Sequence, residues 1–265
     1  MNILIRELKA NLKSLIIWCL SMAFLIYAGM VKYSAYAKTG EAVNEFMAQI
    51  PLAMKDIMGI GSGDLTSVMV FYSIFFMYFM LLAAVHSSML GVIIVAKEER
   101  DKTADFLYVK PIRRQYAVSF KILAALINII IFNLVTFVIS VLSVRQYDSD
   151  TAIVSQIFMA MAALFILQLL FLGLGLLLGA AVRKSKAGTS IASSIILAAF
   201  MVKVLIDLNK DLDKLTFLTP FKYFNANTVM FDKQIDTGFA ILSILLAAAC
   251  TAGSYYFFKK RDLHS

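Results

Sequence analysis

The apolar runs at 67–96 and 116–142 constrain this chain more than any other feature, because each exceeds the roughly 20 residues needed to cross a bilayer core. Between them lies a densely charged island, 96–111, reading Ala-Lys-Glu-Glu-Arg-Asp-Lys-Thr-Ala-Asp-Phe-Leu-Tyr-Val-Lys-Pro. So many charges are costly in hydrocarbon, which places the island in water between two spans. Phe106, Leu107 and Val109 give it a short amphipathic core, suited to being held by a partner.

Four further runs, at about 14–33, 153–182, 189–207 and 237–258, are also long and apolar enough to span. The expected fold is therefore an all-α integral membrane protein of six transmembrane helices, forming a single transmembrane domain over 1–265. The composition agrees, with 61% hydrophobic and 16% charged residues. The first run reads as a full span rather than a cleaved signal, since no small-residue cleavage site follows it.

The formal charge of +8 could suggest a nucleic-acid partner, but its distribution argues otherwise. With the N-terminus placed in the cytoplasm, the cytoplasmic segments hold 16 of the 25 Lys and Arg and 6 of the 17 acids. The rest of the chain holds 9 bases and 11 acids. That asymmetry predicts a multi-pass protein of the cell (plasma) membrane with both termini cytoplasmic. The basic excess orients the chain and offers a surface to membrane lipids, with no nucleic acid expected. Cys19 and Cys250 both fall within spans and match no metal-ligand or disulfide pattern.

At the N-terminus, Leu4, Leu8 and Leu12 share one helical face while Arg6, Lys9 and Lys13 lie elsewhere. Residues 1–13 are thus expected as an amphipathic interfacial helix, the alternative being an extension of the first span. Segment 34–66 is expected outside, with short amphipathic helices broken at Pro51 and ended near Gly59, Gly61 and Gly63. The segment 208–236 combines charges with Phe217, Pro220, Phe221, Tyr223 and Phe224, a composition that fits interfacial half-helices or an aromatic belt. Gly175 and Gly179 form a small-xxx-small pair that permits close helix contact.

The chain contains no Gly-Lys dipeptide, so it has no phosphate-cradling loop of the Gly-Lys-Ser/Thr kind. Its two histidines, His86 and His264, are far apart in sequence, and no catalytic or metal-binding constellation can be assembled. Polar residues inside the spans are candidates for a translocation path, chiefly His86, Asn128, Asn133 and Gln168. Each can equally serve only to tie helices together. Lys203 is placed to pair with Asp207 at i+4. No acid occupies the middle of a span, which weighs against ion-coupled transport and leaves energy to come from elsewhere.

The island then takes on a more specific character. Lys97-Glu98-Glu99-Arg100, Thr103-Ala104-Asp105-Phe106-Leu107 and Lys110-Pro111-Ile112-Arg113-Arg114 together resemble the first cytoplasmic loop of type-2 ATP-binding-cassette (ABC) transporter permeases. Leu218-Thr219-Pro220-Phe221-Lys222-Tyr223-Phe224 is similar to a segment before that family's last span, and the ending Tyr255–Leu263 continues the likeness. Members often carry Gly where this chain has Lys102 or Ala104.

The resemblance implies that 97–114 holds a cytoplasmic coupling helix between spans 2 and 3, docking on an ATPase subunit. Phe106 and Leu107 would be its apolar knobs, and Glu98, Glu99, Arg100 and Asp101 its salt-bridging rim. It further implies two copies of the ATPase and a second permease subunit, identical or homologous. This chain itself would be no enzyme and hold no cofactor, with ATP and Mg on the partner. The expected cargo is an amphipathic or hydrophobic peptide, lipid or drug moved outward. The alternatives are a non-transporting sensor or immunity partner of an ATPase, and an intramembrane enzyme.

Overall fold

The structure, a computed structural model, describes residues 3–39, 49–50, 67–100, 114–182 and 184–260. Six long helices cover the six apolar runs: α1 (Ile3–Thr39), α2 (Val68–Arg100), α3 (Arg114–Arg145), α4 (Ala152–Ala181), α5 (Ser185–Leu208) and, last in the chain, α8 (Thr237–Lys260). Between α5 and α8 come a 3-10 helix, Lys210–Leu218, and two short helices, α6 (Pro220–Tyr223) and α7 (Ala226–Met230). All six long helices are apolar enough to cross a membrane, and no strand occurs among the described residues.

α4 is the hub, contacting α2, α8, α3 and α5. Its sequence explains this, since it is apolar on every side, and a helix of that kind must be enclosed by others. α1, α5 and α8 are peripheral. They turn residues such as Leu20, Phe24, Leu197, Leu205 and Leu245 outward, as a membrane solvent allows.

Along α4 the glycines remove the side-chain layer. A Cβ on Gly175 would sit 2.2 Å from the carbonyl oxygen of Ser88 on α2. One on Gly179 would lie 2.8 Å from that of Val92, and one on Gly91 of α2 would lie 2.7 Å from that of Leu172. Gly173 opens a similar approach to α8, where Ala247 O would be 2.8 Å away. The small-xxx-small pair is thus a backbone-to-backbone seam between α2 and α4.

The N-terminal segment departs from the expected interfacial helix. No break separates residues 3–13 from the first span, and α1 runs as one helix of 37 residues. Leu4 and Leu8 pack on the cluster around Leu90, Ile94 and Phe258, while Leu12 is exposed. The buried column is instead Glu7, Asn11 and Leu15. The physical reason is the burial of Glu7, whose partners hold this turn against the bundle.

Half-helices do form in the segment after α5. Pro220 starts α6, where its missing N–H costs nothing. Phe221 enters the core between Phe171 and Phe200, and Tyr223 stacks on Phe239 of α8 at 4.5 Å between ring centroids. Thr219 Oγ1 donates to Ala199 O at 2.8 Å, tying the segment to α5. The expected short helices within 34–66 fall almost entirely outside the described residues.

Candidate functional site

The candidate residues fall into two groups. For the ATPase-docking set, α2 continues beyond its apolar run through Glu98, Glu99 and Arg100, and α3 begins at Arg114. Asp101, Phe106 and Leu107, with the rest of the loop, lie outside the described residues, as do the side chains of Glu98, Glu99 and Arg100.

The four candidate path residues, His86, Asn128, Asn133 and Gln168, are all buried. His86 of α2 is only 3% exposed. Its ring stacks on Phe132 of α3 at 4.5 Å and tilts against Trp18 of α1 at 5.4 Å. Asn133, the residue after Phe132, donates through Nδ2 to Gln168 Oε1 of α4 at 2.8 Å. The structure therefore brings Asn133 and Gln168 together and sets His86 against Asn133's neighbour. Asn128 stands apart, its amide donating to Ala124 O of its own helix. Gln168 Nε2 and the Ser88 hydroxyl are buried without a hydrogen-bond partner among the described residues.

Charges cluster at the two ends of the bundle. At the end bearing the N-terminus, Glu7 is fully buried between Arg6 Nη2 at 3.0 Å and Lys97 Nζ at 3.3 Å. Asn11 Nδ2 adds a bond to Glu7 O at 2.9 Å. Lys121, also fully buried, donates to Ile94 O at 2.6 Å, joining α3 to α2. At the opposite end Lys203 pairs with Asp207 at 2.5 Å, as the i+4 spacing suggests. Lys222 of α6 completes the pairing at 2.6 Å from Asp207, with Asp213 at 3.9 Å. Lys203 also contacts Met77 Sδ of α2 at 2.9 Å, so this network links α2, α5 and α6. In the same segment burial raises the Tyr223 phenol above its ordinary pKa, and its hydroxyl donates to Phe217 O.

No sequence pattern singled out Glu7 or Lys121, both of which are fully buried. One signal was available for Glu7, the lone acid among the first 13 residues. Its partner Lys97 is 90 positions away and carried none.

Six helices long and apolar enough to cross a membrane define a polytopic membrane protein. A family model described as ABC-2 family transporter protein matches residues 1–263, and the chain belongs to that family. No curated protein matches the chain. It is accordingly a multi-pass membrane permease of ABC type, a transporter subunit that works with an ATPase partner.

Proposed function

We propose that this chain is the membrane half of an exporter that moves an amphipathic or hydrophobic peptide, lipid or drug outward. ATP and its Mg are held and hydrolysed on a separate subunit, present in two copies. A second permease, identical or homologous, completes the path, and both termini face the cytoplasm. The observation that carries this reading is the run of α2 out of its apolar stretch to Arg100, with α3 beginning at Arg114. The connection bears the charged and apolar pattern of an ATPase-docking loop, in a chain without a phosphate-binding loop of its own. His86, Asn133 and Gln168 are the polar groups best placed to be exposed when the helices rearrange, with Asn128 a weaker candidate because its amide is already bonded to Ala124 O.

The test is the double variant Phe106→Ser, Leu107→Ser in the assembled complex. Each apolar side chain buried at the dock contributes roughly 1.5–3 kcal/mol. The variant should therefore release the ATPase on purification, or leave it hydrolysing ATP without transport. Full ATPase retention together with normal transport would overturn the docking assignment.

A further inference from the structure

The charge network at the end of the bundle opposite the N-terminus is unevenly built. Asp207, in the last turn of α5, has a side chain only 9% exposed and is shared by two lysines. Lys203 sits one turn back on the same helix, and its ammonium donates to Met77 Sδ of α2. It lies 2.5 Å from Asp207 Oδ2 but off hydrogen-bonding geometry, so it acts there as a charge. Lys222 of α6 supplies the hydrogen bond, to Asp207 Oδ1 at 2.6 Å. The Lys203–Asp207 pair lies within α5 and persists wherever α6 goes. The Lys222–Asp207 pair crosses from α6 to α5.

A second acid stands beside Lys222. Asp213, on the 3-10 helix Lys210–Leu218, holds its Oδ1 3.9 Å from the Lys222 ammonium, and its side chain is 59% exposed. Among the described residues Lys222 is its one charged partner. An approach of about 1 Å would bring the two to charge-assisted hydrogen-bonding distance. Such an exchange strands no charge. Asp207 keeps Lys203 and Lys222 gains Asp213, so a bare buried carboxylate, which would be costly, is never formed. What changes is the reach of the bond. Lys222–Asp207 ties the segment 210–223 to α5, whereas Lys222–Asp213 closes within the segment itself.

We infer that Lys222 is a two-position latch, handed between Asp207 and Asp213, and that the 3-10 helix with α6 is the strap it releases. The strap crosses the end of the bundle. α6 touches α2, α5 and α8, and Phe221 is seated between the rings of Phe171 and Phe200. With the latch on Asp213, the charged tie to α5 is gone and neutral contacts remain, among them the Thr219–Ala199 hydrogen bond and the Phe200–Phe221 ring pair. The helices at this end can then part without baring a charge. The latch depends neither on the cargo nor on the direction of transport.

Thr219, fully buried beside the latch, is the reporter position. Thr219→Cys is introduced into the full chain carrying Cys19→Ala and Cys250→Ala, reconstituted in phosphatidylcholine nanodiscs. Its rate of reaction with an impermeant maleimide is measured. Asp207→Asn leaves Lys222 only Asp213 and should raise the rate about tenfold, as loss of a hydrogen bond to a charged group allows. Asp213→Asn removes the second position and should lower the rate about two- to threefold, as fits a pair with an exposed member. Lys222→Met leaves Lys203 and Asp207 paired, and so tests the latch even if Asp207→Asn does not fold. It should raise the rate and make a further Asp213→Asn silent. Equal rates in every variant would overturn the inference, by showing a strap held without Lys222. A rise or no change on Asp213→Asn alone would also overturn it, making Asp213 one more anchor or a bystander. So would an undiminished effect of Asp213→Asn in the Lys222→Met background, which would place its action on another group.

Discussion

The two sides of α2 are built on opposite principles. Toward α4, Ser88, Gly91 and Val92 meet Leu172, Gly175 and Gly179 with backbone touching backbone. Toward α1, a few residues away along the same helix, His86, Met89, Ile93 and Lys97 stand off from their neighbour and line a partly polar slot. In a membrane, helices gain nothing from hiding apolar surface from lipid, so close packing and hydrogen bonds must hold them. The seam uses the first device, and the α1 side uses the second, through Glu7, Arg6, Lys97 and Asn11. One face of a single helix can therefore be fixed while the other borders a cavity.

The sharpest way to break this contrast is to add volume at the seam. Gly175→Leu places a side chain where even a Cβ comes within 2.2 Å of a backbone oxygen, which cannot swing aside. Overpacking commonly costs about 1–3 kcal/mol, and here the loss should be at or above the top of that range. Thermal unfolding of the purified chain in detergent should show it, together with a low yield of folded protein. A wild-type transition would mean that α2 and α4 are not in backbone contact.

A smaller effect is expected on the α1 side from Glu7→Gln. The exchange keeps the shape but removes the charge that Arg6 and Lys97 share. Hydrogen bonds to a charged group contribute about 1.5–3 kcal/mol, and the part-exposed cations can regain water, so the lower end is expected. Denaturant unfolding should register this loss, and an unchanged midpoint would show that α1 is held by other contacts.

The smallest effect belongs to Ala10→Leu, at the α1 wall of the slot. If the slot is open space, three added carbons should be accommodated, with stability within about ±0.5 kcal/mol of the parent as for ordinary surface changes. A loss comparable with that of Gly175→Leu would erase the distinction between the two faces.

Much of this architecture was legible because the membrane makes the code simple. A run of some 20 apolar residues has few alternatives, so the helices and their order follow from hydropathy. Gly175 with Gly179, and Lys203 with Asp207, were readable because both pairs are local, four residues apart on one helix. The aromatic segment after α5 announced itself through Pro220 and its neighbouring rings. What escaped was non-local or ambiguous in period. The N-terminal leucines suggested a helix lying on the membrane surface, whereas the pairing of Glu7 with Lys97 draws that turn into the bundle. The ring sandwich around His86 joins three helices and has no counterpart in any local pattern. Asp101, Phe106 and Leu107 lie outside the described residues.

The seam has a mechanical meaning. With no layer of side chains to shear, α2 and α4 cannot slide past one another without backbone collision, and Gly173 extends the same restraint to α8. A push delivered at the end of α2 near Arg100 is therefore shared at once by a strut of three helices. α1 stands outside this strut: it meets α2 through the Glu7–Lys97 pair and packs mainly on α3.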